Sequence, residues 1–148
     1  MSGAFALSLQ EFARKAGERG NEVVHRSMIR LATEIDDRSP VGDAKFWKSP
    51  PPAGYIGGRF RMNWQLGIGS VPVGEIDGVD TNGTIALPRI IAAIPEEAAG
   101  HVYYLANNLP YARRLEDGWS RQAPPGGIVA LTVMDFKQAV DETVAEMP

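Results

Sequence analysis

The chain has 148 residues, of which 44% are hydrophobic and 22% charged, and its formal net charge is −3 at pH 7. These values fit one soluble globular domain that buries its own core. The absence of cysteine excludes a disulfide framework, a thiolate nucleophile and a Cys-ligated zinc site. With 15 basic against 18 acidic side chains, we expect weak binding to nucleic acid and to anionic membranes. We also expect neither a secretory signal nor a membrane span, because no apolar run has the required length.

The first 37 residues predict a helical segment. Apolar residues recur at helical spacing in two groups, Leu9, Phe12 and Ala16, and then Val24, Met28, Leu31 and Ile35. Gly17 and Gly20 interrupt this pattern, so we expect a weak point or a break there. Ser39-Pro40 ends the helix, because the residue before a proline avoids the helical region.

Residues 39–57 predict a long loop rich in proline and tryptophan. The three consecutive prolines at positions 50–52 cannot join a helix or a central strand. A loop of this length is uncommon inside a compact domain and is often functional. Its aromatic side chains, Phe46, Trp47 and Tyr55, need a surface to pack against, so we expect the loop to take part in assembly.

Residues 58–73 show the alternation typical of a half-buried strand. The apolar residues that would share one face of this strand are Phe60, Met62, Trp64, Leu66 and Ile68. The following stretch, residues 74–83, is rich in Gly, Asp and Asn and predicts a loop or a hairpin tip.

The second half of the chain predicts helices around one further strand. A short helix over about residues 86–98 is predicted by the spacing of Leu87, Ile90, Ile91 and Ile94. Residues 101–105 predict a strand, and Pro110 opens a short helix that Gly118 closes before a loop at 119–127. The C-terminal helix is amphipathic, with its apolar residues at Val129, Val133, Phe136, Val140, Val144 and Met147. We therefore expect one α+β domain over residues 1–148, with a small antiparallel sheet packed against long N- and C-terminal helices.

Side chains suited to acid–base or metal chemistry are scarce. The only histidines, His25 and His101, fall in no metal-binding spacing, and a surface or packing role is favoured for both. Asp36 and Asp37 are neighbours on a helix, so their carboxylates point apart and indicate a solvated helix end. We predict no catalytic residue, cofactor or metal; the enzyme alternative is a hydrolase acting through Asp36, Asp37 and His25.

Two further features indicate contacts between proteins. Arg113, Arg114, Glu116 and Asp117 form a dense charged cluster, which is either a set of surface ion pairs or a subunit contact. Trp119 lies in a polar loop and is either a lid on the core or an anchor in a partner's pocket. Trp47 in the proline-rich loop presents the same two alternatives.

Residues 103–120, YYLANNLPYARRLEDGWS, with Gln-Ala-Pro at 122–124, resemble tail-completion or neck proteins of long-tailed bacteriophages, relatives of the minor tail protein Z of phage lambda. In that group a strand ending in Asn leads to Pro-Tyr-Ala, Glu-x-Gly and a Gln-Ala-Pro loop before a final helix. Residues 39–43, SPVGD, and 58–64, GRFRMNW, resemble the upstream signatures of the group in the same order. The similarity covers about residues 20–146. A Trp- and Pro-rich insertion separates Pro-Val from Gly58, whereas compact members place Pro-Val directly before the strand.

The resemblance implies a virion structural protein, made in the host cytoplasm, that completes or terminates the tail and joins it to the head. It implies a homo-oligomeric ring of six- or twelve-fold symmetry, in contact with connector and tail-tube proteins and with the DNA that passes through the channel. A head-closure or adaptor protein of the same connector is the alternative, and a regulatory binding module is a further class. The residues expected at the assembly interface are Trp47, Tyr55, Arg113, Arg114, Glu116, Trp119 and Gln122.

Overall fold

A computed structural model describes residues 20–42, 50–51, 53–117, 124 and 126–146 and confirms the α+β class. A two-stranded antiparallel sheet shares its core with a long helix from each half of the chain, and these two helices pack on each other. The elements in chain order are α1 (Gly20–Arg38), α2 (Arg59–Met62), β1 (Trp64–Ile68), α3 (Ala86–Ala93), β2 (Tyr103–Asn107), α4 (Ala112–Glu116) and α5 (Val129–Glu146).

Helix α1 confirms the second half of the predicted N-terminal helix, and the residues before Gly20 lie outside the described part of the chain. All four apolar residues predicted at helical spacing are buried, namely Val24, Met28, Leu31 and Ile35. The helix ends at Arg38, and the Ser39 hydroxyl donates a hydrogen bond to the carbonyl of Ile35. Ser39 also accepts a hydrogen bond from the indole N–H of Trp64, which ties the end of α1 to the start of β1.

Strands β1 and β2 pair with Leu66 opposite Leu105. Leu105 is buried in the same core cluster as Leu31 and Trp64, so one face of the sheet contributes to the helical core. The opposite face is crossed by residues 72–76, which return along β1. The side chain of Gln65 donates to the carbonyl of Gly74, and the Asn63 amide both donates to and accepts from the backbone of Ile76. This stretch is a loop, as one of the two alternatives predicted; it is not a hairpin tip, because α3 lies between the two strands.

The prediction of a strand over residues 58–73 is wrong at both ends. Residues 59–62 form the helical turn α2, and β1 covers only Trp64–Ile68. Phe60 in α2 and Trp64 at the start of β1 are both buried, and their rings meet edge to face at 5.6 Å. Gly58 permits this turn: its φ is 117°, and a Cβ there would lie 2.6 Å from the carbonyl carbon of Asp80.

Two other boundaries differ from the prediction. Helix α3 ends at Ala93, not near residue 98, because Ile94 precedes a proline and adopts an extended conformation. Strand β2 covers Tyr103–Asn107, two residues later than predicted. The short helix α4 lies where Pro110 predicted it, while Gly118 lies outside the described residues.

The C-terminal helix α5 is confirmed, but its predicted buried face is partly wrong. The residues that it buries are Thr132, Ala139 and Thr143, whereas Val133 and Val144 are 47% and 52% exposed. Short side chains allow α5 to approach α1 closely, and each buried threonine hydroxyl donates to a carbonyl one turn earlier in its own helix. The apolar pattern of the sequence therefore identified the helix but not the side that packs.

Candidate assembly surface

The residues expected at the assembly interface divide into two sets. Trp47, Trp119 and Gln122 lie outside the described residues. The structure places the other four: Tyr55 and Glu116 are half-buried, and Arg113 and Arg114 are exposed.

Tyr55 lies where the proline-rich loop rejoins the domain. Its hydroxyl packs against Gly42, where a Cβ would clash with it. Gly57, two residues later, accepts a hydrogen bond from the Thr81 hydroxyl, which anchors this end of the loop. Between them, Ile56 is 62% exposed. Gly42 and Tyr55, on either side of residues 43–49, are therefore in contact, and Ile56 presents an apolar side chain to solvent beside them.

Tyr111 lies directly before α4, the helix that carries the expected interface residues Arg113, Arg114 and Glu116. Its ring lies 6.3 Å from that of Phe60. Burial raises the pKa of its hydroxyl, the positive charge of Arg59 opposes that rise, and Tyr55 and Glu75 add to it. Phe60 itself follows Tyr55 by five residues in the chain. The start of α4 therefore contacts the segment that directly follows the end of the loop, although Tyr55 and Tyr111 are 56 positions apart in numbering.

Helix α4 extends this region with two exposed arginines. Arg113 lies 3.6 Å from the carboxylate of Asp117, one turn later, and both side chains are more than half exposed. Such a pair contributes little to stability, so its charges are free to contact a partner. We call the region formed by Tyr55, Ile56, Tyr111, Arg113 and Arg114 the loop–α4 surface.

Glu116 has a structural use that the sequence did not reveal. Its carboxylate accepts hydrogen bonds from the backbone N–H groups of Ile128, Val129 and Ala130, at 2.8, 2.8 and 3.0 Å. These N–H groups belong to the first turn of α5, where none has a partner within the helix. Glu116 thus caps α5 and fixes α4 against it. Its part in assembly stays a prediction.

Asp80 is a second cap that the sequence did not reveal. Although only 1% exposed, its carboxylate accepts from the backbone N–H groups of Thr84, Ile85 and Ala86. Burial opposes its ionisation, but these hydrogen bonds outweigh burial and hold the pKa of Asp80 below its usual value. The available signal was an Asp shortly before a helix whose own N-cap residue, Ile85, has no capping side chain.

The prediction of a solvated carboxylate at the end of α1 is wrong for Asp36. Asp36 is only 7% exposed, and its carboxylate lies 3.6 Å from Nε of Arg61. Burial raises the pKa of Asp36 although Arg61 lowers it. The pairing arises because α2 replaces the first part of the expected strand and brings Arg61 against α1.

The three groups of the hydrolase alternative do not converge. Asp37 is exposed beside the buried Asp36, and His25 lies eleven residues earlier on the same helix, about 16 Å away at 1.5 Å per residue. His101 is exposed and meets the ring of Tyr103 edge to face at 5.9 Å. Within the described ranges, no group of three or more His, Asp or Glu side chains is arranged to hold a metal ion.

Comparison with protein-family models, with curated proteins and with solved structures gave no significant match. No helix in the described part of the chain combines the length and the apolar character needed to cross a membrane.

Proposed function

We propose that this chain is a structural protein of the head–tail junction of a tailed bacteriophage, where it completes or terminates the tail as a homo-oligomeric ring. The sequence supports this through the ordered resemblance of residues 39–43, 58–64 and 103–124 to neck proteins. The observation that carries it is the loop–α4 surface, which combines the exposed Ile56, Arg113 and Arg114 with two tyrosines, of which Tyr111 packs on Phe60.

A ring of identical subunits needs two different surfaces on each copy, one of which docks onto the other surface of the next copy. The loop–α4 surface has the composition of such a contact, because aromatic and arginine side chains are enriched at interfaces. The two segments that carry Trp47 and Trp119 also adjoin it in sequence, after Gly42 and after Asp117.

Residues of the motif that resembles neck proteins also hold the loop–α4 surface in place. Asn107 is fully buried, and its side-chain amide donates to the carbonyl of Phe60 and accepts from the backbone N–H of Leu109. Ala112 is fully buried in α4, and Glu116 fixes α4 to α5. The shared motif therefore builds a rigid support from which exposed side chains can bind a partner.

The test is the position of the chain in a phage particle. Particles from a host that carries an epitope-tagged copy of the chain are purified and labelled for electron microscopy. We expect the label at the junction of head and tail. A label on the capsid shell or at the distal tail tip, or purified particles that lack the chain, would contradict the proposal. A position on the head side of the junction would identify the head-closure or adaptor alternative.

The matched variants are charge reversals at two exposed arginines. Arg113→Glu changes the loop–α4 surface, and Arg26→Glu changes an exposed position of α1 that also forms an i, i+4 pair. We expect Arg113→Glu to reduce incorporation into particles and Arg26→Glu to leave it unchanged. Equal incorporation of both variants would place the contact elsewhere.

A further inference from the structure

Helix α5 has an apolar stripe on the side that faces away from α1. Its residues follow a spacing of three and four, with Ala130, Lys137 and Val144 at one position of the repeat and Val133 and Val140 at the other. Val133 and Val144 are about half exposed and Val140 is partly exposed. This spacing is that of a seam between two helices. We call Ala130, Val133, Lys137, Val140, Asp141 and Val144 the outer stripe.

The charged residues on the two flanks of α5 differ in whether they form ion pairs. On the flank beside α1, Glu142 pairs with Arg30 and Asp135 pairs with Arg38. On the outer stripe, Lys137 and Asp141 are exposed, and neither forms an ion pair with any described residue. The fold therefore satisfies the inner charges and leaves one positive and one negative charge beside the apolar seam.

We infer that the outer stripe binds the outer stripe of a second copy of this chain, with the two α5 helices antiparallel about a two-fold axis. In this register Val133 faces Val144 of the other copy, and Lys137 faces Val140 and Asp141 of the other copy. Lys137 of each copy then lies beside Asp141 of the other copy, so the two-fold axis produces this pair twice. In a parallel arrangement, Lys137 of one copy would face Lys137 of the other copy and the two positive charges would repel. The charges therefore favour the antiparallel arrangement.

The contact is small, and its expected strength follows from its size. The six residues of the outer stripe are far fewer than the about 20–30 residues per side of a standard interface. We expect a dimer with a dissociation constant of about 10–100 µM. This inference does not depend on the proposed neck function, because a two-fold contact joins like surfaces whereas a ring joins unlike ones.

Sedimentation equilibrium of the full chain at increasing concentration tests the contact. We expect Val144→Asp to weaken dimerisation by about tenfold or more, since it buries a charge in the seam. The control is Val73→Asp, which alters an even more exposed valine on the loop over the other face of the sheet. A chain that stays monomeric up to about 1 mM, far above the expected dissociation constant, would overturn the inference, as would equal effects of the two variants.

Two charge variants test the pairing of Lys137 with Asp141 between copies. Lys137→Asp leaves two negative charges on the stripe, and Asp141→Lys leaves two positive ones. We expect each variant to dimerise about tenfold more weakly than the unaltered chain, and an equimolar mixture to form the mixed dimer with nearly the original affinity. A mixture that remains as weak as its components would contradict the pairing.

The orientation is testable because the chain has no cysteine of its own. In the antiparallel register, Val133→Cys and Val144→Cys variants form a disulfide with each other when mixed under oxidising conditions, and little with themselves. Disulfides within each single variant would show a parallel contact and overturn the register. If Val144→Asp instead lowers the melting temperature of a monomeric chain by several degrees, the stripe is covered by the chain itself and the inference is wrong.

Discussion

Asp80 and Glu116 both cap the start of a helix, but they differ in burial and in their distance along the chain from the helix. Each carboxylate accepts three backbone N–H groups near the start of a helix, α3 for Asp80 and α5 for Glu116. Asp80 lies four to six residues before its donors and is buried, whereas Glu116 lies 12 to 14 residues before its donors and is half-buried. The first cap organises a loop inside the core, and the second joins two helices across a loop.

Replacement of the buried cap should have the larger effect. Asp80→Ala removes a buried carboxylate and leaves the N–H groups of Thr84, Ile85 and Ala86 without their acceptor, and we expect a loss of about 2–4 kcal/mol of unfolding free energy. Asp77→Ala, in the same loop but exposed, should change it by less than about 0.5 kcal/mol. Urea unfolding of both variants measures the difference. A loss below about 1 kcal/mol for Asp80→Ala would mean that water replaces the carboxylate.

Replacement of the half-buried cap should cost less. We expect Glu116→Ala to lose about 1–2 kcal/mol, because solvent can reach some of the released N–H groups. Asp117→Ala, the exposed neighbour, should be nearly neutral. If Glu116→Ala destabilises the chain more than Asp80→Ala, burial does not determine the cost of losing a cap in this fold.

Gly127 makes the second cap dependent on a close approach. Its φ is +94°, and a Cβ there would lie 2.9 Å from Cδ of Glu116. Gly127→Ala should therefore both strain the backbone and displace the carboxylate, at about 1–3 kcal/mol. In the Glu116→Ala background the same change should cost about 0.5–1 kcal/mol less. Additive effects in this double-mutant cycle would show that the clash does not involve Glu116.

The two buried aspartates should respond to pH with opposite sign. The pKa of Asp80 is lowered in the folded chain, so its contribution is present above the usual value of 3.8 and is lost as the pH falls through the folded value. Burial raises the pKa of Asp36 above 3.8, so stability from this group is present at lower pH and is lost as the pH rises through the folded value.

Unfolding free energies measured between about pH 2.5 and 7 separate the two groups. The advantage of the unaltered chain over Asp80→Asn should shrink as the pH falls below 3.8, and its advantage over Asp36→Asn should shrink as the pH rises above 3.8. Parallel curves for the unaltered chain and either variant would show that the group in question does not couple folding to protons.

Sequence periodicity predicted the elements whose burial follows one simple pattern. Helix α1 buries the four apolar residues at helical spacing, and the α+β class followed from the order of the elements. The pattern failed at residues 59–62, where the alternation of Phe60 and Met62 indicated a strand but the chain forms a helical turn. It also failed on α5, where threonine and alanine pack inward because α1 approaches closely.

Contacts made by polar side chains over long distances were the least predictable. Asp36 pairs with Arg61 only because α2 is a helical turn, and the cap by Glu116 depends on the path of the chain between α4 and α5. The sequence did indicate that loop 39–57 and residues 116–124 belong to one function. The contact of Tyr111, directly before α4, with Phe60 came only from the fold.

The smallest effect on stability should come from the loop–α4 surface. Among the described residues, Arg113 pairs only with the exposed Asp117 at 3.6 Å, and an exposed pair of this kind contributes about 0.3–0.5 kcal/mol. Arg113→Glu should therefore melt within about 1–2 °C of the unaltered chain. The stability measurements would then distinguish the caps from this surface, because the cap variants lose unfolding free energy whereas the arginine variant keeps its fold. A large loss of stability from Arg113→Glu would show that α4 depends on this charge for folding, and α4 would then be part of the support and not of the contact.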